Sequence, residues 1–100
     1  MTAKMNKFSG WCAECDPLRL QEYFDFVLHR CGFRVCGVQY KYFDPYGFTA
    51  LYLLSESHFA IHTFPEENRT YIELSSCVDK PFEMFLRSQE DAPENYKIKI

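Results

Sequence analysis

Apolar side chains recur along this chain with two different periods, and the switch between them marks the elements. Within residues 17–31, Leu20, Tyr23, Phe24, Val27, Leu28 and Cys31 fall at helical spacing and form one apolar stripe. Asp16 stands where an N-cap belongs, Pro17 fits the first helical position, and Gly32 fits the C-terminal cap. Elsewhere the period is two. Residues 7–15 predict a first strand, and 33–43 a second with Cys36, Val38, Tyr40 and Tyr42 on one face. Asp44-Pro45-Tyr46-Gly47 is a turn. Strands follow at 48–54 and 58–64. Residues 65–69 make a hairpin loop, and 70–77 return as a further strand. Residues 80–88 predict a short helix with Phe82, Phe85 and Leu86 facing inward. A polar loop, 89–95, precedes an alternating tail, 96–100, which is a candidate edge strand.

The order β-α-β-β-β-β-α predicts the α+β class: a two-layer sandwich, an antiparallel sheet with both helices packed on one face. The other face is then either solvated or functional. No repeat or linker divides the chain, so residues 1–100 read as one domain. A hydrophobic share of 47%, with 18% aromatics, excludes a mostly disordered chain. So short a chain leaves much of its surface uncovered, which favours a partner subunit. The net charge of −3 argues against nucleic acid and anionic membrane as partners. No apolar run approaches the roughly 20 residues of a membrane helix. Residues 1–7 lack the apolar core of a signal peptide, so the expected compartment is the cytoplasm. Five cysteines, an odd count, are expected to be free thiols there. Cys12-x-x-Cys15 alone is a weak zinc signal, because Cys31 and Cys36 have loose spacing and Cys31 already belongs to the helix stripe. No metal is expected.

The unusual chemistry lies between Ser55 and Cys77. A serine, two histidines and a cysteine, Ser57, His58, His62 and Cys77, occur within 21 residues. Strand alternation puts His58, Ala60, His62 and Phe64 on one face, and Tyr71, Glu73, Ser75 and Cys77 on the polar face of the next strand. Matching apolar faces across the hairpin requires partner numbers with an odd sum. A sum of 135 places His62 opposite Glu73 and His58 opposite Cys77. Ser57, His62 and Cys77 are then expected to converge near one polar sheet face. Gly-x-Ser-x-Gly is absent, so no serine-hydrolase elbow is indicated.

The run Leu54-Ser55-Glu56-Ser57-His58-Phe59-Ala60-Ile61-His62-Thr63-Phe64-Pro65-Glu66 resembles the signature of the prokaryotic, pyruvoyl-dependent S-adenosylmethionine decarboxylase family. Phe43-x-Pro45-x-Gly47-x-Thr49 upstream fits, as does Cys77 downstream. Together these cover about a third of the chain. Val78 stands where the family often has Gly after the cysteine. Phe8-Ser9-Gly10-Trp11-Cys12 keeps the aromatic and the glycine, but not the acids, of the Phe-Glu-Gly-x-Glu strand of eukaryotic relatives.

The resemblance implies a proenzyme that cuts itself between Glu56 and Ser57. Ser57 attacks the Glu56 carbonyl and becomes a covalent pyruvoyl group, the expected cofactor, in place of pyridoxal phosphate. That group forms a Schiff base with the substrate. His62 matches the processing base, Thr49 the assisting hydroxyl, and Cys77 the proton donor in decarboxylation. Glu66, Phe43 and Phe64 match substrate-binding positions: a carboxylate for ribose hydroxyls and rings for adenine. The implied substrate is S-adenosylmethionine, whose decarboxylated product feeds spermidine synthesis. The implied assembly is a homodimer of processed pairs, residues 1–56 with 57–100. The altered first strand leaves open a pyruvoyl decarboxylase of another amino acid, ornithine or arginine. An uncleaved regulatory relative that dimerises with an active partner is the alternative from outside catalysis.

Overall fold

The computed structural model describes residues 3–100; Met1 and Thr2, the start of the segment tested above for a leader, lie outside the described residues. The elements run β1 (Asn6–Cys12), α1 (Pro17–Cys31), β2 (Val35–Tyr42), β3 (Phe48–Leu54), β4 (Ser57–Phe64), β5 (Arg69–Ser76) and α2 (Asp79–Ser88). The strands form one antiparallel sheet in the order β1-β5-β4-β3-β2. Both helices lie on one face, so the two-layer α+β architecture holds.

The helix signals act as read. The Asp16 carboxylate accepts the Arg19 N–H at 2.9 Å, and Gly32 takes the left-handed φ of 101° that closes α1. Leu20, Phe24, Val27, Leu28 and Cys31 are buried against the sheet. Phe24 of α1 and Phe85 of α2 meet over Phe59 of β4, with ring centroids 5.2 and 5.9 Å from it. That aromatic contact fixes both helices to the same face. Leu86 departs from expectation and is 37% exposed. The sheet is met by the Phe82–Phe85 line of α2, and Leu86 lies on the flank of that line.

The alternating tail forms less structure than its pattern promised. Lys99 makes one antiparallel bridge to Trp11, with N–H to O distances of 2.7 and 2.8 Å, and 96–100 is not a full strand. Its close passage depends on Gly10: a Cβ there would sit 2.5 Å from Lys99 O and 2.7 Å from Ile98 Cγ2. At the opposite edge, β2 carries a bulge at Cys36, which takes that residue out of the alternation with Val38, Tyr40 and Tyr42. Those three pair with Tyr52, Ala50 and Phe48 on the helix side, yet remain exposed. The helices do not reach over this edge.

The β4–β5 hairpin has an odd-sum register, as face matching demands, but the sum is 133 rather than 135. His62 therefore faces Tyr71, His58 faces Ser75 and Ser57 faces Ser76. The loop explains the difference. Pro65–Glu67 winds into a 3-10 turn, and Asn68 takes φ 55°, ψ 38°, so the chain reverses within four residues and Phe64 meets Arg69. A shift of two keeps every side chain on its face, so the alternation is preserved while the partners change.

Candidate active site

The predicted site residues fall into two groups at opposite ends of the sheet. The first surrounds the Ser55-Glu56 turn that joins β3 to β4. Glu56 has φ 60°, a left-handed conformation that costs a non-glycine residue about 1–2 kcal/mol. This turn presents the Glu56 carbonyl to the end of β5. Its oxygen accepts the Cys77 backbone N–H at 3.2 Å and the Cys77 thiol at 2.9 Å. Two donors on one carbonyl oxygen draw electron density from its carbon, which makes that carbon a better target for a nucleophile.

Ser57, the next residue, is 6% exposed. It points to the helix side of the sheet, and its hydroxyl donates to Ser76 Oγ at 2.7 Å. Cys77 lies one residue beyond β5, is exposed, and continues the open-face parity of Tyr71, Glu73 and Ser75. The nucleophile candidate and the thiol thus reach the Glu56–Ser57 bond from opposite sides of the sheet. Val78, in place of glycine, has φ −106° and ψ 118°, an extended conformation that a β-branched residue adopts without strain.

The second group lies by the other hairpin ends, on the open face. Thr49 is the cross-strand partner of His62, and Thr49 Oγ1 lies 3.0 Å from His62 Nδ1. This contact holds the imidazole ring over the sheet. Phe43, Thr49, His62, Phe64 and Glu66 all line one pocket of about 220 Å³. Phe43 and Phe64 are 47% and 37% exposed, which makes them open ring faces rather than core packing.

The expected convergence of Ser57, His62 and Cys77 does not occur within one chain. Five residues of strand separate Ser57 from His62, about 17 Å at a strand's rise, and their side chains leave opposite faces. The pocket lined by Phe43, Phe64 and Glu66, the residues expected to bind substrate, contains neither Glu56, Ser57 nor Cys77. It is also smaller than the roughly 300–1,000 Å³ typical of a small-molecule site.

Sequence reasoning missed Ser76, although its even position beside Ile72 and Leu74 marks a buried hydroxyl that needs a partner. It also gave no site role to Trp11 and Tyr71. Trp11 packs on Phe64 and Tyr71 with centroids 5.7 and 5.3 Å apart, and the Arg69 guanidinium lies 3.8 Å over its ring. Parity along β1 and β5 places both residues on the face of His62. Cys12, by contrast, is 3% exposed, and its burial pushes the thiol up to about 12. Among the described residues, no three His, Cys, Asp or Glu side chains are grouped to hold a metal ion. No helix of the described residues is long and apolar enough to cross a membrane.

The fold is a two-layer α+β sandwich in which a left-handed Glu56 precedes Ser57 and its carbonyl is held by Cys77. Comparison with known proteins gives the family. Residues 13–92 match the sequence model of S-adenosylmethionine decarboxylase. The S-adenosylmethionine decarboxylase proenzyme of Archaeoglobus fulgidus is 38% identical over 76 residues, covering 71% of this chain and 66% of that protein. S-adenosylmethionine decarboxylase proenzyme 2 of Bacillus anthracis is 52% identical over 46 residues, covering 46% of this chain and 37% of that protein. The crystal structure of the adenosylmethionine decarboxylase from Aquifex aeolicus superposes with a TM-score of 0.66 at 17% identity, covering 87% of this chain and 81% of that one. The chain belongs to the S-adenosylmethionine decarboxylase family. It spans less than two thirds of the length of these two curated relatives.

Proposed function

We propose that this chain is a self-cleaving proenzyme whose mature form decarboxylates S-adenosylmethionine with a pyruvoyl group made from Ser57, supplying the product used in spermidine synthesis. The observation that carries the proposal is the Glu56 carbonyl, set in a left-handed turn and bonded by both the N–H and the thiol of Cys77. In the first step Ser57 Oγ bonds to the Glu56 carbonyl carbon and the C–N bond breaks. The hydroxyl proton ends on the Ser57 nitrogen, and an ester results. Loss of the Ser57 Cα proton then expels the Glu56 carboxylate, and one water releases ammonia to leave the pyruvoyl end. Breaking the chain after Glu56 also relieves its backbone strain.

The residues present fit such a group, since position 57 begins β4 beside an exposed thiol. The pyruvoyl carbonyl supplies the means to capture the substrate amine and to take up the electron pair left by departing carbon dioxide. Cys77 is placed to return a proton to the substrate carbon. Phe43 and Phe64 offer faces to adenine, and Glu66 offers a carboxylate to the ribose hydroxyls.

The separation of the two groups supports the homodimer reading. A second copy laid antiparallel on the open face brings the His62 end of each chain to the Ser57 end of the other, the self-complementary contact of a two-fold pair. His62 then acts across the interface as acceptor for the Ser57 Cα proton lost in the elimination, the Ser57 hydroxyl itself lying on the helix side, and each small pocket becomes half of a larger one.

Denaturing intact-mass measurement, followed by assay of carbon dioxide release, tests the proposal. The expected result is two fragments, 1–56 and a pyruvoyl-blocked 57–100, with release from S-adenosylmethionine. Release from ornithine or arginine alone reassigns the substrate. A persistent single chain of 11.9 kDa moves the function to the uncleaved regulatory role.

A further inference from the structure

We infer that Ser76 is a positioning residue for self-cleavage: its hydroxyl aims the Ser57 hydroxyl for attack on Glu56. The inference rests on the pyruvoyl reading above and extends it to a residue whose hydroxyl that reading does not use. Ser76 is fully buried at 0% exposure, and every hydrogen-bonding capacity of its Oγ is engaged. It accepts the Val78 N–H at 3.1 Å and directs its own proton toward the Val78 carbonyl at 3.2 Å. Only a lone pair is left for Ser57, 2.7 Å away. With the Ser76 proton committed to Val78, Ser57 is the donor of the Ser57–Ser76 bond.

That direction matters for a nucleophile. The Ser57 proton is turned away along the bond to Ser76, and the Ser57 lone pairs stay free to approach the Glu56 carbon. Attack forms the Oγ–C bond and breaks the C–N bond. The proton leaves Oγ and finishes on the Ser57 nitrogen, so the step is an isomerisation that needs no further reactant. Adjacent residues of β5 share the work through strand alternation. Ser76 holds the nucleophile from the helix side, and Cys77 holds the electrophile from the open side. Both bonds of Ser76 to Val78 use backbone atoms, so they do not depend on which side chain stands at position 78.

The test follows cleavage of the full chain in time after cell-free synthesis, by denaturing mass spectrometry, with the melting temperature of each product measured alongside. Ser76→Ala and Ser76→Cys, the latter of near-native size but a poor acceptor, are expected to cleave at least about tenfold more slowly, and Ser76→Thr within about threefold of the native rate. Native-rate cleavage by either Ser76→Ala or Ser76→Cys overturns the inference. So does Ser76→Thr as slow as Ser76→Cys with an unchanged melting temperature, since the hydroxyl then is not what matters. A native chain that never cleaves overturns the pyruvoyl reading and this inference together. A native chain that cleaves beside an equally fast Ser76→Cys variant overturns only the inference.

Discussion

The two ends of the sheet are built on different plans. At the β3–β4 turn the polar groups are saturated by one another: Ser57 to Ser76, Ser76 to Val78, and Cys77 to Glu56. At the other end the groups are presented outward. Phe43 and Phe64 expose their rings, Glu66 is exposed, and Thr49 and His62 share a single bond. One end closes the Glu56–Ser57 bond inside a set of hydrogen bonds, and the other leaves its side chains open to solvent. The difference teaches that a linear signature need not be a local site. Residues 54–66 form one continuous string, yet the strand spreads its chemistry over about 17 Å and two faces.

The largest effects separate the two ends outright. Ser57→Ala removes the nucleophile, so no cleavage is expected, and the chain keeps its full mass. His62→Ala is expected to slow cleavage about 100-fold or more, the usual worth of a positioned proton acceptor. Co-expression of the two variants sharpens the comparison. Each lacks what the other has, so a mixed dimer has one complete site, and the His62→Ala chain should be cut while the Ser57→Ala chain stays whole. Differently tagged chains make this visible by mass. Mixed dimers in which neither chain is cut would remove the two-chain site and confine the effect of His62 to its own chain.

Much of this architecture is legible in the sequence. Asp16, Pro17 and Gly32 bound a helix because each satisfies a terminus in its own way, and those constraints are local. Alternation assigned the residues of β4 and β5 to their faces. The register of β4 with β5 was not legible to better than two residues, because the hydrophobic pattern repeats every two and only the fold of Pro65–Asn68 selects between solutions. The false convergence of Ser57 with His62 has another cause. Their numbers differ by five, so on one strand they must leave opposite faces, and matching chemistry cannot override that parity. Exposure of Val38, Tyr40 and Tyr42 was illegible for a third reason. A pattern shows which face is apolar, but not how far a helix of the other layer extends.

Smaller effects are expected at the open pocket proposed to take substrate. Phe43→Ala should raise KM about tenfold with kcat nearly unchanged, consistent with loss of about 1–3 kcal/mol of ring stacking. The precursor should still cleave at its native rate, because Phe43 belongs to the exposed end alone. Thr49→Val should do the reverse. It breaks the bond to His62 Nδ1 and should slow cleavage about tenfold. A Phe43→Ala chain that fails to process, with an unchanged melting temperature, would show that the two ends are coupled before cleavage.

The smallest effect concerns what joins the ends, and it is read from alkaline stability. Burial pushes the Cys12 thiol up to about 12 from an ordinary value of 9.0, and burial also raises Cys31, Tyr23 and Tyr52. In each case the folded chain keeps a proton that the unfolded chain has lost. Stability linked to these groups is therefore complete below about pH 9 and declines as pH rises toward 12. The melting temperature should be flat from pH 7 to 9 with respect to these groups, and should fall above that. Trp11, the single tryptophan, packs on Phe64 and reports on the pocket end through its fluorescence. Cys77, exposed beside Glu56, reports on that end through its rate of alkylation under fixed reagent and pulse conditions. Both probes should change at the same alkaline midpoint, because Phe24, Phe59 and Phe85 tie the sheet and helices into one cooperative core. Two separate midpoints would mean that the ends melt independently, and the clamp around Glu56 would then have to be stable without the core beneath it.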